Sequence, residues 1–389
     1  MESSIFCFAT DLADEGIETV LDNVEQRGGL GGVTVAAAYH EGRDVFPHNP
    51  ARKVRFLEGG AVFFPPGPAL RTTRLQPPVS EAAHVLPEAI VAADKRGLAV
   101  RAWTVFLHNG ALAAAHPECA PENAFGDRYL TELCPANPDA RAYACALAAD
   151  IAALGVAGIC SEALHYLGLE HGYAHERYFV PLGARVRYLL GLCFCEHCLA
   201  AARAAGVDGE AARRVAREAI EGAFAGDDPG GEPERDEYAE VREQVVTSLV
   251  AEVAAAAGDT PFEFIELSGA VKGYADGRPT GDPSPTIAWQ LGVDVQAVAG
   301  ACDGLEAMGY AADPAWVARD LDSYAEDAVS VIFRPSTPDC DSAKDLCAKV
   351  DLARERGLRR VDFYHYGLMR LEALDWIRKA LTPAPQRGR

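Results

Sequence analysis

The chain of 389 residues is 49% hydrophobic, 24% charged and 8% aromatic, the balance of a soluble globular protein that can bury a large core. Its 36 Lys+Arg against 57 Asp+Glu leave a net charge of −21, a field that repels nucleic-acid backbones and anionic membrane surfaces, so neither is an expected partner. No run approaches the roughly 18 apolar residues of a membrane span, and Met1-Glu2-Ser3-Ser4 lacks the basic start of a secretory signal, so a cytoplasmic protein is expected.

Short apolar segments alternate with segments of helical period from end to end, the pattern of parallel β/α architecture. Eight strands are predicted, at residues 4–10, 32–39, 98–107, 156–164, 262–267, 304–309, 328–333 and 360–366. Each precedes a helix candidate. In the first, Asp14 offers an N-cap, Ile17, Val20, Leu21 and Val24 recur at helical spacing, and Gly28-Gly29 stops the helix. Similar helices are predicted at 81–95, 138–154, 314–324, 341–356 and 371–381. Eight such units predict one (β/α)8 TIM barrel over residues 1–382, with a frayed tail at 383–389.

Long insertions after strands 2 and 4 interrupt the rhythm. Residues 43–78, rich in Pro and Gly, fall on the face where barrels build their sites and suggest a substrate-binding loop. Residues 165–258 form a helical, cysteine-containing insertion with two Ala-rich helices near 210–224 and 237–257, joined by an acidic, solvated linker at 227–236. The Gly28-Gly29-Leu30-Gly31-Gly32 run follows a helix and precedes a strand, the reverse of a phosphate-binding turn, so nucleotide chemistry is not expected.

Eleven cysteines, an odd number, argue for metal ligands or buried thiols rather than a disulfide framework. Cys193, Cys195 and Cys198 lie within six residues. A structural Zn2+ needs a fourth soft ligand, for which Cys134 is the best candidate and His197 a weaker one; the alternative is a set of reduced thiols packing a helix start.

Around these residues the chain resembles the zinc-containing β-galactosidases of glycoside hydrolase family 42. There a Cys-Pro-x-Ser-Pro-x-x-Arg segment precedes the Asn-Glu of the fourth strand, and a Cys-x-Cys-x-x-Cys cluster follows. Here Cys134-Pro135, Asn137-Pro138 and Arg141 lead through a helix to Gly158-Ile159-Cys160-Ser161-Glu162, and then to Cys193, Cys195 and Cys198. Looser glycoside-hydrolase-like barrels share the fourth-strand acid followed by an aromatic. The resemblance covers about residues 134–201 and implies zinc on the four cysteines and an acid role for Glu162. Ser161 replaces the family's Asn, and predicted strand 7 carries no carboxylate, so neither the nucleophile nor galactosidase specificity is carried over.

Barrel chemistry sits at the C-terminal strand ends. The polar groups predicted there are Asp11, His40, His108, Asn109, Glu162, His165, Glu266, Glu306, Asp362 and His365, with alternation allowing only one of the last two to face the axis. Glycoside hydrolysis needs a protonated acid at the leaving oxygen and a second carboxylate as nucleophile or base. Glu162, at the end of an apolar strand, is the expected acid. Glu266, on one face with Phe262 and Phe264, and Glu306 are equal candidates for the second carboxylate, against structural ion pairs. The stretch holding His165, Tyr166, His171, Tyr173 and His175 suits sugar hydroxyls, and Trp103, Tyr166 and Tyr173 offer rings to stack on a pyranose. The His171/His175 spacing is also open to a metal.

The expected activity is that of a glycoside hydrolase-like enzyme cleaving a small soluble glycoside by carboxylate acid/base chemistry. One rival is a metal-dependent sugar isomerase or epimerase, with Glu162, Glu266 and a His such as His365 around a divalent cation. Another is a non-catalytic carbohydrate-binding barrel. A homo-oligomer is left open.

Overall fold

Eight parallel strands close on themselves in the computed structural model, which describes residues 1–171, 177–227, 230–271, 281–324 and 328–382. They are β1 (Glu2–Cys7), β2 (Gly32–Tyr39), β3 (Ala99–Val105), β4 (Ile159–Glu162), β5 (Phe262–Glu266), β6 (Leu305–Met308), β7 (Ala328–Phe333) and β8 (Arg360–Phe363). Neighbours in the chain are neighbours in the barrel, and β1 pairs with both β2 and β8. The fold is the (β/α)8 barrel that the β/α alternation predicts, with the helices packed outside.

The ends differ from expectation for local reasons. The Asp11 carboxylate accepts from Phe8 N at 2.9 Å, which turns the chain into a helix at Ala9–Glu15 and stops β1 at Cys7. Gly16, at φ +89°, separates that helix from Ile17–Asp22, so Asp14 caps nothing and instead pairs with Arg55 at 2.5 Å. Strand β4 ends at Glu162 because Ala163 takes φ +54°, the left-handed region that an L side chain occupies at a cost. Other helices begin where short polar side chains cap them: Asn137 accepts from Asp139 N and Ala140 N ahead of Pro138–Ala152, and Asp313 from Ala315 N ahead of Pro314–Ser323.

The insertion after β2 is a hairpin, Gly42–Val45 against Val54–Leu57, followed by a short strand, Ala61–Val62, antiparallel to the end of β2. The insertion after β4 contributes helices Ala184–Leu190, Glu196–Ala204, Gly209–Phe224 and Glu237–Ala256. These share their own apolar cluster, in which Phe194 and Tyr238 stack at 4.9 Å. No helix among the described residues is long and apolar enough to cross a membrane.

Charged residues fill the lower half of the barrel. Alternation along β5 sends Glu263 inward and Phe262, Phe264 and Glu266 outward. Glu263 is paired with Arg101 at 2.9 Å and with Arg360 at 2.9 Å. Arg360 also donates to Asp362 at 2.5 Å and to Ser330 at 3.2 Å, and lies 3.5 Å from Glu306. All five charged groups are buried.

Candidate active site

Glu162 ends β4 at the mouth of the barrel, half-buried. The Trp103 indole, reaching up from β3, donates to its Oε2 at 2.5 Å. Burial pushes the Glu162 carboxyl up to about 7, the indole hydrogen bond offsetting only part of that rise. The group can therefore carry a proton near neutral pH, which is what a general acid requires.

Three phenols stand in the field of this carboxylate: Tyr39 at the end of β2, Tyr310 beyond β6 and Tyr364 beyond β8. Each is pushed above the usual phenol range, first by burial and further by Glu162 among its neighbours. Arg334, beyond β7, lies 4.2 Å over the Tyr310 ring and donates to Asp339 at 3.1 Å. Asp44, on the hairpin after β2, adds its charge at Tyr39 and Tyr364, and burial holds its own carboxyl above the ordinary range. Tyr39, Tyr310, Arg334 and Tyr364 stand at or just past strand ends, and Asp44 lies in the insertion after β2; none of the five is among the residues expected from the sequence.

A wall of imidazoles flanks the mouth. The His40 and His108 rings stack at 4.3 Å, and His171 meets His108 at 5.0 Å. The His40 Nδ1 hydrogen-bonds to Glu41 O at 2.6 Å. Burial lowers all three, His40 and His171 to about 4, so they stand neutral at pH 7 as hydrogen-bonding groups.

Other expected site residues sit elsewhere. Glu266 faces the helix layer, where it accepts from Ser268 N at 2.9 Å and from Tyr324 Oη at 2.8 Å. Glu306 is sealed in the lumen beside Arg360 and Asp362, and Asp362 is held by Arg360. Neither Glu266 nor Glu306 reaches Glu162, which corrects the expectation of three carboxylates at one mouth. With Glu266 turned away, Glu162, Glu266 and His365 cannot surround one cation, and the isomerase geometry is absent from the described residues.

Trp103 has no free face for a sugar, because Phe6, Phe8, Tyr39 and Tyr364 surround it at 4.6–5.7 Å. Tyr166 is buried with its hydroxyl 3.2 Å from Cys198 Sγ, and His165 is buried with Nδ1 on Tyr166 O. His365 packs 4.2 Å from Phe8, with Nδ1 3.9 Å from Asp11 and Nε2 unpartnered. Because β8 ends at Phe363, strict alternation does not extend to His365. His175 and Tyr173 lie outside the described residues.

Cys134 precedes helix Pro138–Ala152, whereas Cys193, Cys195 and Cys198 begin helix Glu196–Ala204. Their side chains converge: Cys134 Sγ lies 3.8, 3.6 and 3.5 Å from the sulfurs of Cys193, Cys195 and Cys198. A Zn–S bond of about 2.3 Å sets tetrahedral S···S edges of about 3.8 Å, so four buried sulfurs at this spacing fit such an ion without rearrangement. His197 stays outside the group, 3.7 Å from Glu196.

No family model and no curated protein sequence matches this chain. Solved structures do. The chain superposes with a TM-score of 0.54 on α-L-fucosidase isoenzyme 2 from Paenibacillus thiaminolyticus, at 14% identity over 98% of this chain and 49% of that one. It superposes at 0.55 on the β-galactosidase from the psychrophilic Marinomonas ef1, at 12% identity over 98% and 59% of the two chains. For the β-amylase catalytic domain from Paenibacillus polymyxa the values are 0.54 and 9%, over 98% and 99%. The chain thus spans about half the fucosidase and somewhat more of the galactosidase, and what it has in common with all three is the closed (β/α)8 barrel.

Proposed function

We propose that the chain is a glycoside hydrolase-like enzyme acting on a small soluble glycoside, with Glu162 as its general acid. The observation that carries this reading is a half-buried carboxyl at the mouth end of β4, fixed by the Trp103 indole and raised to about 7. In that state Glu162 protonates the leaving glycosidic oxygen as the bond to the anomeric carbon breaks. For the second role we propose Asp44, a half-buried carboxylate on the hairpin that follows the C-terminal end of β2. The neutral imidazoles of His40, His108 and His171 supply hydrogen bonds to hydroxyls.

Leaving-group dependence tests the reading. Glu162→Ala should badly slow glycosides with alkyl leaving groups yet spare the first step for activated aryl glycosides, whose phenolate departs without a proton. Equal loss of kcat/KM on both removes Glu162 from the acid role, and saccharide binding without turnover in the wild-type protein makes the barrel a binding module.

We also propose that Cys134, Cys193, Cys195 and Cys198 hold one Zn2+. There it is structural: it ties the loop after β3 to the insertion after β4, the two segments that flank Glu162.

A further inference from the structure

Arg242, on helix Glu237–Ala256, is one of the largest fully buried side chains in the protein, at 1% exposure. A buried guanidinium ordinarily has a carboxylate against it. Among the described residues no ion pair is found for Arg242: Nη1 donates to Gln290 O at 3.1 Å, and Nε has no partner. The buried Glu132 carboxyl shares its field, but burial pushes that group up to about 8, so it stands largely neutral at pH 7. The cation lies instead over an aromatic face, 4.4 Å from the centre of the Tyr166 ring and 5.9 Å from that of Tyr188.

The other edge of Tyr166 leads to the cysteines. Its hydroxyl is 3.2 Å from Cys198 Sγ, and the four sulfurs beyond it are all buried. Glu122 N donates to Cys193 Sγ at 3.3 Å, and Tyr238, also on helix Glu237–Ala256, donates to Cys193 O at 2.6 Å. A divalent ion on four thiolates is a formal dianion, which burial makes costly without a compensating charge. Each half therefore lacks what the other holds: a buried cation with no ionised carboxylate against it, and a buried anionic centre without a cation, separated by one tyrosine ring.

We propose that Arg242 is the counter-charge of a metal tetrathiolate at Cys134, Cys193, Cys195 and Cys198, acting through Tyr166. The inference rests on the zinc reading above and is independent of the glycosidase reading. Arg242 touches no sulfur and is a positioning residue. By setting the charge balance of the cluster, it determines how firmly the insertion is fastened beside β4.

The test follows zinc rather than turnover. Wild-type protein and the variants Arg242→Met, Arg242→Lys and Tyr166→Phe are purified without chelator, assayed for zinc, and challenged with a chelating dye. Wild type should carry about one zinc per chain, and Arg242→Met should release it at least about tenfold faster, as loss of an outer-shell partner does elsewhere. Arg242→Lys, which keeps the charge, should stay closer to wild type. Tyr166→Phe, which keeps the ring but loses the hydroxyl to sulfur, should fall between, and it carries the test if Arg242→Met does not fold. The rise in melting temperature on zinc loading should also shrink in Arg242→Met. Wild-type protein without zinc overturns the metal site itself. Zinc in wild type with unchanged release from both Arg242→Met and Tyr166→Phe leaves the metal and overturns the role of Arg242.

Discussion

Glu162 and Glu306 both lie on the inner face of the barrel, both are raised by burial, and they differ in what surrounds them. Glu162 ends its strand at the mouth, half-buried, above an indole and in the field of three phenols. Glu306 lies a level deeper and fully buried, where Asp362 and Glu263 raise it further and Arg360 opposes them. A raised carboxyl is therefore not by itself a mark of chemistry. Access to a ligand separates the two, and access follows from position along the strand.

Replacing each acid by its amide sharpens that contrast. Glu162→Gln should lower kcat/KM on unactivated glycosides by about 10²–10⁴-fold, the usual worth of a general acid, while the protein melts no lower than wild type. Next in size is the lumen. Glu263→Gln leaves Arg101 and Arg360 short of an anion and should cost about 3–5 kcal/mol in denaturant unfolding, with activity per folded molecule retained. Glu306→Gln should cost less than about 1.5 kcal/mol, because an amide reproduces the shape and neutrality of a protonated acid; a loss as large as that of Glu263→Gln would mean that Glu306 is ionised. The smallest effect is expected at Ala163, whose φ of +54° favours glycine. Ala163→Gly should raise stability by up to about 1 kcal/mol, and clear destabilisation would show that the methyl group packs better than the backbone strain costs.

The pH dependence has a definite sign. A Glu162 carboxyl raised from 4.5 to about 7 holds its proton more tightly in the folded than in the unfolded state. The stability it contributes is fully present below the unfolded value and is lost as pH rises through the folded one. Glu162→Gln should therefore flatten the fall in stability between those limits, becoming more stable than wild type above them by up to about 3 kcal/mol.

The barrel was legible because each β/α unit repeats the same switch of period, and eight repeats outweigh errors at single ends. Strand ends were less so: Asp11 stops β1 through a side-chain hydrogen bond that hydropathy does not register. The place of Glu162 at the end of β4 follows from position and motif together, and the convergence of Cys134 with the other three cysteines from the arithmetic of tetrahedral ligation. Glu266 was misplaced because the alternation along β5 was read correctly but the wrong face was sent inward. The apolar face carries Phe262, Phe264 and Glu266 out to the helices, and the lumen takes Glu263 with its arginines. A polar barrel interior inverts the usual sense of the pattern, and only the partners across the barrel reveal it. Trp103 was read as a sugar platform because an indole at a strand end suits both stacking and packing, and four aromatic neighbours decide for packing.

Direct titration of Glu162 is the most immediate measurement. Carbon-13 NMR of carboxyl-labelled wild-type protein, compared with Glu162→Gln, should reveal one glutamate resonance that titrates near 7 and vanishes in the variant. If the resonance that vanishes instead titrates in the ordinary range near 4.5, Glu162 is ionised at neutral pH and cannot donate the proton that glycosidic cleavage requires.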